Sequence, residues 1–236
     1  MLRCHPLTAL ATAALLAFAS APGAARAETP DAAEAHLIVV KAEAALNAMR
    51  ADPRFTDLPR ALRAGRAVLI VPGYVRAGIG IGGASGTGVL LSKDSASGTW
   101  SSPAFFDMRS ASLGPQLGYQ KSDLVLVVAN TATFDAILAG DFSLAADAGF
   151  TAGSSTGHTD ANVTTGGTNT GVLTFMRSEG AYAGATIGGA SIEADRDLNT
   201  AYYGPGATPL HILATPGLAN ADADKLRSTV AAFAGR

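Results

Sequence analysis

The chain has 236 residues, 27 of them glycine and one cysteine, with 48% hydrophobic and 15% charged side chains and a formal net charge of −2. That balance excludes nucleic-acid or anionic-surface binding driven by bulk charge alone, and a lone cysteine excludes a disulfide framework. The length suffices for one good core or two small ones, and low charge with abundant glycine suits a compact β-rich domain with many turns.

Residues 1–27 read as an export signal. Arg3 supplies a positive start, residues 7–21 form an apolar run, and Ala25-Arg-Ala27 is a small-x-small cleavage site before Glu28. The run is short for a membrane span. Cys4 precedes it, whereas a bacterial lipoprotein cysteine would follow it. Cleavage removes Cys4, Arg3 and Arg26 and leaves 15 basic residues against 19 acidic ones. The expected destination is the bacterial periplasm or beyond. Residues 28–236 then form a single domain.

Residues 28–65 are a helical lead-in. Thr29 can cap a helix over 30–50, Pro30 fits its first turn, and Ala35, Ile38, Ala42, Ala45 and Met49 recur at helical spacing. Pro53 ends it, and a second short helix runs over 58–64, closed by Gly65. The first helix reads either as a membrane-surface or partner helix or as one packed on its own domain. The mixed signs of charge on its polar face favour packing.

A β-rich core follows over 66–204. Residues 67–71 are a buried-type run turned by Pro72-Gly73, and 74–83 and 87–91 form a glycine-spaced hairpin. Residues 99–108 and 110–120 are extended, and Asp123-Leu-Val-Leu-Val-Val-Ala129 is the strongest strand. The period changes over 131–139, a short helix closed by Gly140. Residues 142–151 alternate again, 153–167 are a Ser/Thr/Gly loop holding His158, and strands return at 172–176 and 181–192. The tail, 205–236, holds a short apolar piece at 210–213 and a closing helix with Leu226, Val230 and Phe233 as its stripe.

Gly78-x-Gly80-x-x-Gly83 fits a dinucleotide fingerprint, but that motif needs a helix beginning inside the glycines. Here Val89-Leu-Leu91 and a turn-rich segment follow, so the glycines read as room for closely approaching backbones. Ala77–Ser85 and Ala183–Ser191 agree at seven of nine positions. They are either two equivalent hairpins flanking a cleft or a convergence of Gly/Ala strands.

Catalytic chemistry is sparse. No Gly-x-Ser-x-Gly elbow, Ser-x-x-Lys, His-Glu-x-x-His or phosphate loop occurs. His36, His158 and His211 are scattered, and His158 with Asp160 reads as part of a solvated loop. Glu193, Asp195 and Asp197 offer oxygen ligands without a calcium-loop spacing and read as a solvated strand end. No cofactor or metal is expected.

Trp100-Ser-Ser-Pro-Ala-Phe-Phe106, Ser112-Leu-Gly-Pro-Gln-Leu-Gly118, Asp123 to Asn130, Arg177-Ser-Glu-Gly-Ala-Tyr-Ala-Gly184 and Asn199 with Tyr202-Tyr-Gly204 occur in that order. With Val71-Pro72 and the glycine stretch, they resemble the SYLF domain, a lipid-binding family that includes yeast actin-patch proteins. The resemblance covers roughly residues 36 to 235. It departs at Glu179, where a basic residue is common, and at Ala181, where an aromatic or leucine is common.

The resemblance implies a non-enzymatic phospholipid-binding module, with phosphoinositide and actin binding left to eukaryotic members. Trp100, Phe105 and Phe106 would form an exposed aromatic rim, with Arg76, Lys93 or Arg177 near a phosphate. The same aromatics also read as core and the same cations as solvated. The alternative function is a structural module whose first helix and aromatic edge bind an envelope protein. The expected fold is α+β: an antiparallel glycine-rich sheet curled toward a barrel or sandwich, flanked by N- and C-terminal helices.

Overall fold

Two long strands dominate the architecture, β1 (Ala67–Ser92) and β2 (Ala104–Val128), paired antiparallel along nearly their whole length. The structure, a computed structural model, describes residues 29–144, 164–165, 171–184, 187–215, 218 and 221–235. The expected export signal, most of the 142–151 strand and all of the 153–167 loop but residues 164–165 lie outside these residues.

β2 is the centre of an antiparallel six-stranded sheet. β1 runs along one side. Along the other, β5 (Val172–Gly184) pairs with the second half of β2 and β6 (Ile187–Ala194) with the first half. Two short strands complete it, β3 (Ser143–Leu144) on β6 and β4 (Thr164–Thr165) on β5. The sheet is therefore a three-lane ribbon, with β5 and β6 end to end in the third lane.

The ribbon folds back on itself. A straight strand as long as β1 would hold its ends about 80 Å apart at about 3.3 Å per residue. Yet the amide of Lys93, just beyond β1, donates to the carbonyl of Arg66, just before it, at 2.8 Å. Tyr74 Oη and Ser110 Oγ, on different strands of opposite limbs, meet at 3.1 Å. The bend lies where the ladder is irregular between Ile79 and Ile81, opposite residues 113–117 of β2. The sheet is curled but not closed, and with its helices it makes the α+β fold.

The glycine segment is thus not a hairpin, and Pro72-Gly73 is not a turn. Val71 pairs with Leu124 and Tyr74 with Ser122, so Pro72 and Gly73 together oppose Asp123 as a bulge. Proline suits this position because no ladder donor is required of it. Gly73, at φ +66°, donates its amide to Asp123 Oδ1 at 3.0 Å. The chain reverses instead between residues 93 and 103, where Asp94 Oδ1 accepts from the amides of Ala96 and Ser97.

Period-2 alternation sorts the side chains onto two faces. Val68, Ile70, Val89, Leu91, Phe105, Val125, Val127 and Phe175 point outward into a helical layer. Leu69, Val71, Leu90, Phe106, Met108, Leu124, Leu126 and Ile192 point into the fold of the ribbon. Each such fully buried side chain contributes about 1.5–3 kcal/mol of transfer free energy.

The outer layer contains α1 (Pro30–Ala51), α2 (Leu58–Ala64), α4 (Arg196–Tyr203) and α6 (Ala221–Ala234). α1 is capped by Thr29, whose side chain accepts from Ala32 N, and it packs on α6, α4 and β1. His36 Nδ1 lies 3.0 Å from Asp222 Oδ2, and Lys225 Nζ lies 3.1 Å from Glu43 Oε2, tying α1 to α6. The inner face is closed by α3 (Thr131–Ala139), on the predicted residues, and by α5 (Pro209–Ala214), where a bare apolar piece was expected.

Asp195 and Asp197 are not a solvated strand end. Asp195 Oδ1 accepts from Leu198 N as the N-cap of α4, and Asp197 sits in that helix's first turn, where an acidic residue suits the dipole. Among the described residues no helix is long and apolar enough to cross a membrane, which bears on helices only.

Candidate functional site

The outward face of the ribbon continues past the edge of the helical layer and is bare at the bend. Ile79 is 81% exposed, Ile81 72%, Leu117 65% and Tyr119 57%. These are not scattered side chains. Ile79 pairs directly with Leu117 and Ala77 with Tyr119, so the four occupy neighbouring positions on one face of the sheet.

Cations flank this patch on both limbs of β2. Lys121 follows Tyr119 on the same face, and Arg109 stands equally far on the other side of Pro115. Lys121 is exposed and pairs in register with Glu179; Arg109 Nη2 donates to Asp107 Oδ2 at 2.6 Å. From the bend toward the body, β2 presents leucine, tyrosine and lysine in succession at its outward positions.

Glycine makes the bend and hence the patch. On the inner face an added Cβ at Gly86 would lie 2.9 Å from Val71 Cγ1 and 3.1 Å from Tyr74 Cα. One at Gly88 would collide with the carbonyl oxygen of Ile70 and lie 2.9 Å from Val71 Cα. Real Cβ atoms do not approach backbone so closely, so only glycine lets the limbs press together here.

The expected aromatic rim is not a surface. Phe105 is wholly buried under the helical layer, Phe106 is buried on the opposite face inside the fold, and Trp100 is 5% exposed. Alternation in β2 separates the two phenylalanines, because adjacent strand residues point to opposite faces. Phe105 meets Tyr202 edge-on at 5.2 Å between centroids, and Lys93 Nζ lies 5.6 Å from the Trp100 ring centroid.

The three expected cations do not converge. Lys93 Nζ donates to the carbonyls of Leu62, at 3.3 Å, and Arg63, so it caps the end of α2. Burial, and then the charge of Arg66, hold its pKa below the usual lysine value. Arg177 faces outward between Asp123 Oδ2, at 3.5 Å, and Glu179 Oε1, at 3.7 Å. Arg76 is half-buried and pairs in register with Gln120, on the face that turns into the fold. Burial raises the pKa of neighbouring Tyr74, with Ser110 and Arg76 opposing.

Asn199 carries the best-defined polar contact of the quoted motifs. It is fully buried; its Oδ1 accepts from Phe105 N at 2.9 Å, and its Nδ2 donates to Phe105 O at 3.0 Å and Asp195 O at 2.6 Å. Tyr203 Oη donates to Pro103 O at 2.7 Å, and burial pushes its pKa strongly upward. These residues clamp α4 to the start of β2. Among the described residues no three acidic or histidine side chains gather as metal ligands.

The exposed patch was missed from sequence, although its residues lie in the glycine stretch. The signal was present as large aliphatic residues between glycines, at Ile79 and Ile81, on what must be a sharply bent strand. Ile81-Gly-Gly-Ala-Ser85 and Ile187-Gly-Gly-Ala-Ser191 also occupy equivalent registers on either side of β2: Ile81 and Ile187 both pair with Leu113, and Ser85 and Ser191 both pair with Arg109. The echo is one shared bend crossed by two flanking strands, not two hairpins.

Comparison with known proteins bears on the whole domain. The family Ysc84, described as Las17-binding protein actin regulator, matches residues 109–233. The chain is 28% identical over 197 residues to Protein YSC84 of Saccharomyces cerevisiae (strain ATCC 204508 / S288c), covering 81% of this chain and 40% of that protein. It is 28% identical over 200 residues to LAS seventeen-binding protein 3 of Saccharomyces cerevisiae (strain YJM789), covering 81% of this chain and 41% of that protein. The chain thus spans about 40% of the length of these curated relatives. No solved structure matches. The family match spans more than half of the chain and includes most of the central strand, both of its third-lane partners and the closing helices, and the chain belongs to the Ysc84 (SYLF) family.

Proposed function

We propose that this domain binds phospholipid bilayers of the bacterial envelope after export, acting by binding rather than catalysis, with the bend of the ribbon as its contact surface. The observation that carries this reading is the exposed apolar set Ile79, Ile81, Leu117 and Tyr119 at a convex, projecting end of the sheet. An apolar patch contiguous in register on a soluble face marks an interaction surface.

The order of side chains argues for a bilayer. Aliphatic groups lie at the bend, the amphipathic Tyr119 comes next, and Lys121 and Arg109 follow on the two limbs. That sequence matches acyl chains, interface and headgroups met in turn. Family membership supports a binding module, and the apolar run at 7–21 supports export.

Co-sedimentation of residues 28–236 with vesicles of phosphatidylethanolamine and phosphatidylglycerol tests the proposal. Binding that persists at moderate salt is expected, because the apolar contribution is not screened. No binding at either low or moderate salt overturns it.

A second reading, docking of an envelope protein, keeps one supporting feature. Leu37 and Val40 are exposed one turn apart on α1. The aromatic-edge version of that reading loses its surface, since Trp100, Phe105 and Phe106 are buried.

A further inference from the structure

We propose that a cleft remote in sequence from the bend, between the β1–β2 loop, the end of α5 and α6, binds an amphiphilic oxyanion: a carboxylate or phosphate head on a short apolar body. The cleft has a volume of about 860 Å³, within the usual range for small-molecule sites. Arg66 and Arg227 line it from different elements, with Trp100, Ser101, Leu213 and Ala231.

Two guanidinium groups stand in its polar lining. Arg66 Nη1 donates to Lys93 O, and its guanidinium lies 5.0 Å from the Phe134 ring centroid, so the group is held in place, and among the described residues most of its five N–H donors are uncommitted. Arg227 Nη2 donates to Asp224 Oδ1 at 2.7 Å. Trp100 lines the cleft at 5% exposure, its ring packed beside Lys93.

Two acceptors in the lining, one oxygen of Asp94 and the hydroxyl of Ser101, are already engaged. Asp94 also borders the cleft, but its Oδ1 accepts from the amides of Ala96 and Ser97 and from Ser97 Oγ. Ser101 Oγ donates to Ser102 O and accepts from Ser92 N. Donors facing an apolar wall select a ligand with a charged acceptor at one end and hydrocarbon at the other.

Trp100 is the sole tryptophan of the chain, so its emission reports on the cleft directly. The full chain is titrated with octanoate and octyl phosphate, with octanol as the neutral control. A saturable emission change with either anion, weakened about tenfold in Arg227→Gln, is expected, that factor being about 1.4 kcal/mol, the scale of a charge-assisted hydrogen bond. Inorganic phosphate that competes assigns the site to free oxyanions, and failure to compete assigns it to amphiphiles; either result upholds an oxyanion site. No emission change, an equal response to octanol, or an undiminished response in folded Arg227→Gln overturns the proposal. Arg227→Gln decides alone if Arg66→Gln fails to fold, as judged by circular dichroism. These outcomes are independent of vesicle binding at the bend.

Discussion

Gly88 lies so close to Ile70 that the carbonyl oxygen of one occupies the space where the other would carry a side chain. The neighbouring atom is backbone and cannot swing aside. Gly88→Ala is therefore expected to destabilise the fold by at least about 1–3 kcal/mol, the scale of overpacking. Gly83, on the outer face with Ser110 O 3.6 Å from an added Cβ, provides the control. Gly83→Ala stays within about 0.5 kcal/mol of the parent. Urea denaturation of both variants checks the contrast, and equal midpoints would remove the account of the bend.

Asn199 satisfies both backbone groups of Phe105 from inside the core. Asn199→Ala strands a buried N–H and a buried C=O, each costing about 1–3 kcal/mol. A loss of about 2–4 kcal/mol is expected in thermal or chemical unfolding. Asn199→Asp keeps the shape but sets a carboxylate against Phe105 O, so it does not rescue. Recovery by Asp would mean the side chain serves packing alone.

At the bend the expectation reverses: large effects on binding and small ones on stability. Leu117→Asp and Ile79→Asp alter exposed side chains, so unfolding midpoints change by less than about 0.5 kcal/mol. Each removes an aliphatic group worth about 1.5–3 kcal/mol on transfer from water, so vesicle affinity falls tenfold or more. Unchanged vesicle binding in both variants moves the contact elsewhere on the domain.

Asp52 gives a pH dependence with a definite sign. Side-chain hydrogen bonds from Arg54, then the Arg54 amide, hold its pKa down to about 2 against an ordinary 3.8. A folded-state pKa below the unfolded value contributes stability that is full above about pH 4 and is lost as pH falls toward 2. Arg54 is 36% exposed at the surface, so screening keeps the contribution below about 1 kcal/mol. Thermal melts at pH 5 and pH 2.5 should show a smaller acid loss for Asp52→Asn than for the parent. An identical loss would show that this pair is silent.

The helices were legible because their signals are local. Thr29, Pro30, Gly65 and Gly140 mark ends that the structure places within a residue or two of the expected positions, whereas the cap of α3 is Asn130. α4 was missed because Glu193, Asp195 and Asp197 alternate like strand residues, while the capping of Leu198 N by Asp195 shows only in three dimensions. The strands were found in pieces. Pro72-Gly73 and Gly114-Pro115 punctuate a chain locally, and only the β1–β2 register resuming on either side of each shows that the strands continue past both. Burial defeated the site assignment: Phe105 and Phe106 differ in face by strand parity, and nothing local says that both faces are covered. Ile79 and Leu117 look like core residues for the same reason, since the edge of the helical layer is set by distant segments.

The common register of Ile81 and Ile187 on Leu113 limits how the chain can change length. An insertion near the bend in one lane alone would shift that lane against its neighbours, and an odd one would exchange its inward and outward side chains. An unmatched addition in one lane therefore needs a bulge, as at Pro72-Gly73, to keep the inward and outward side chains of that lane in place.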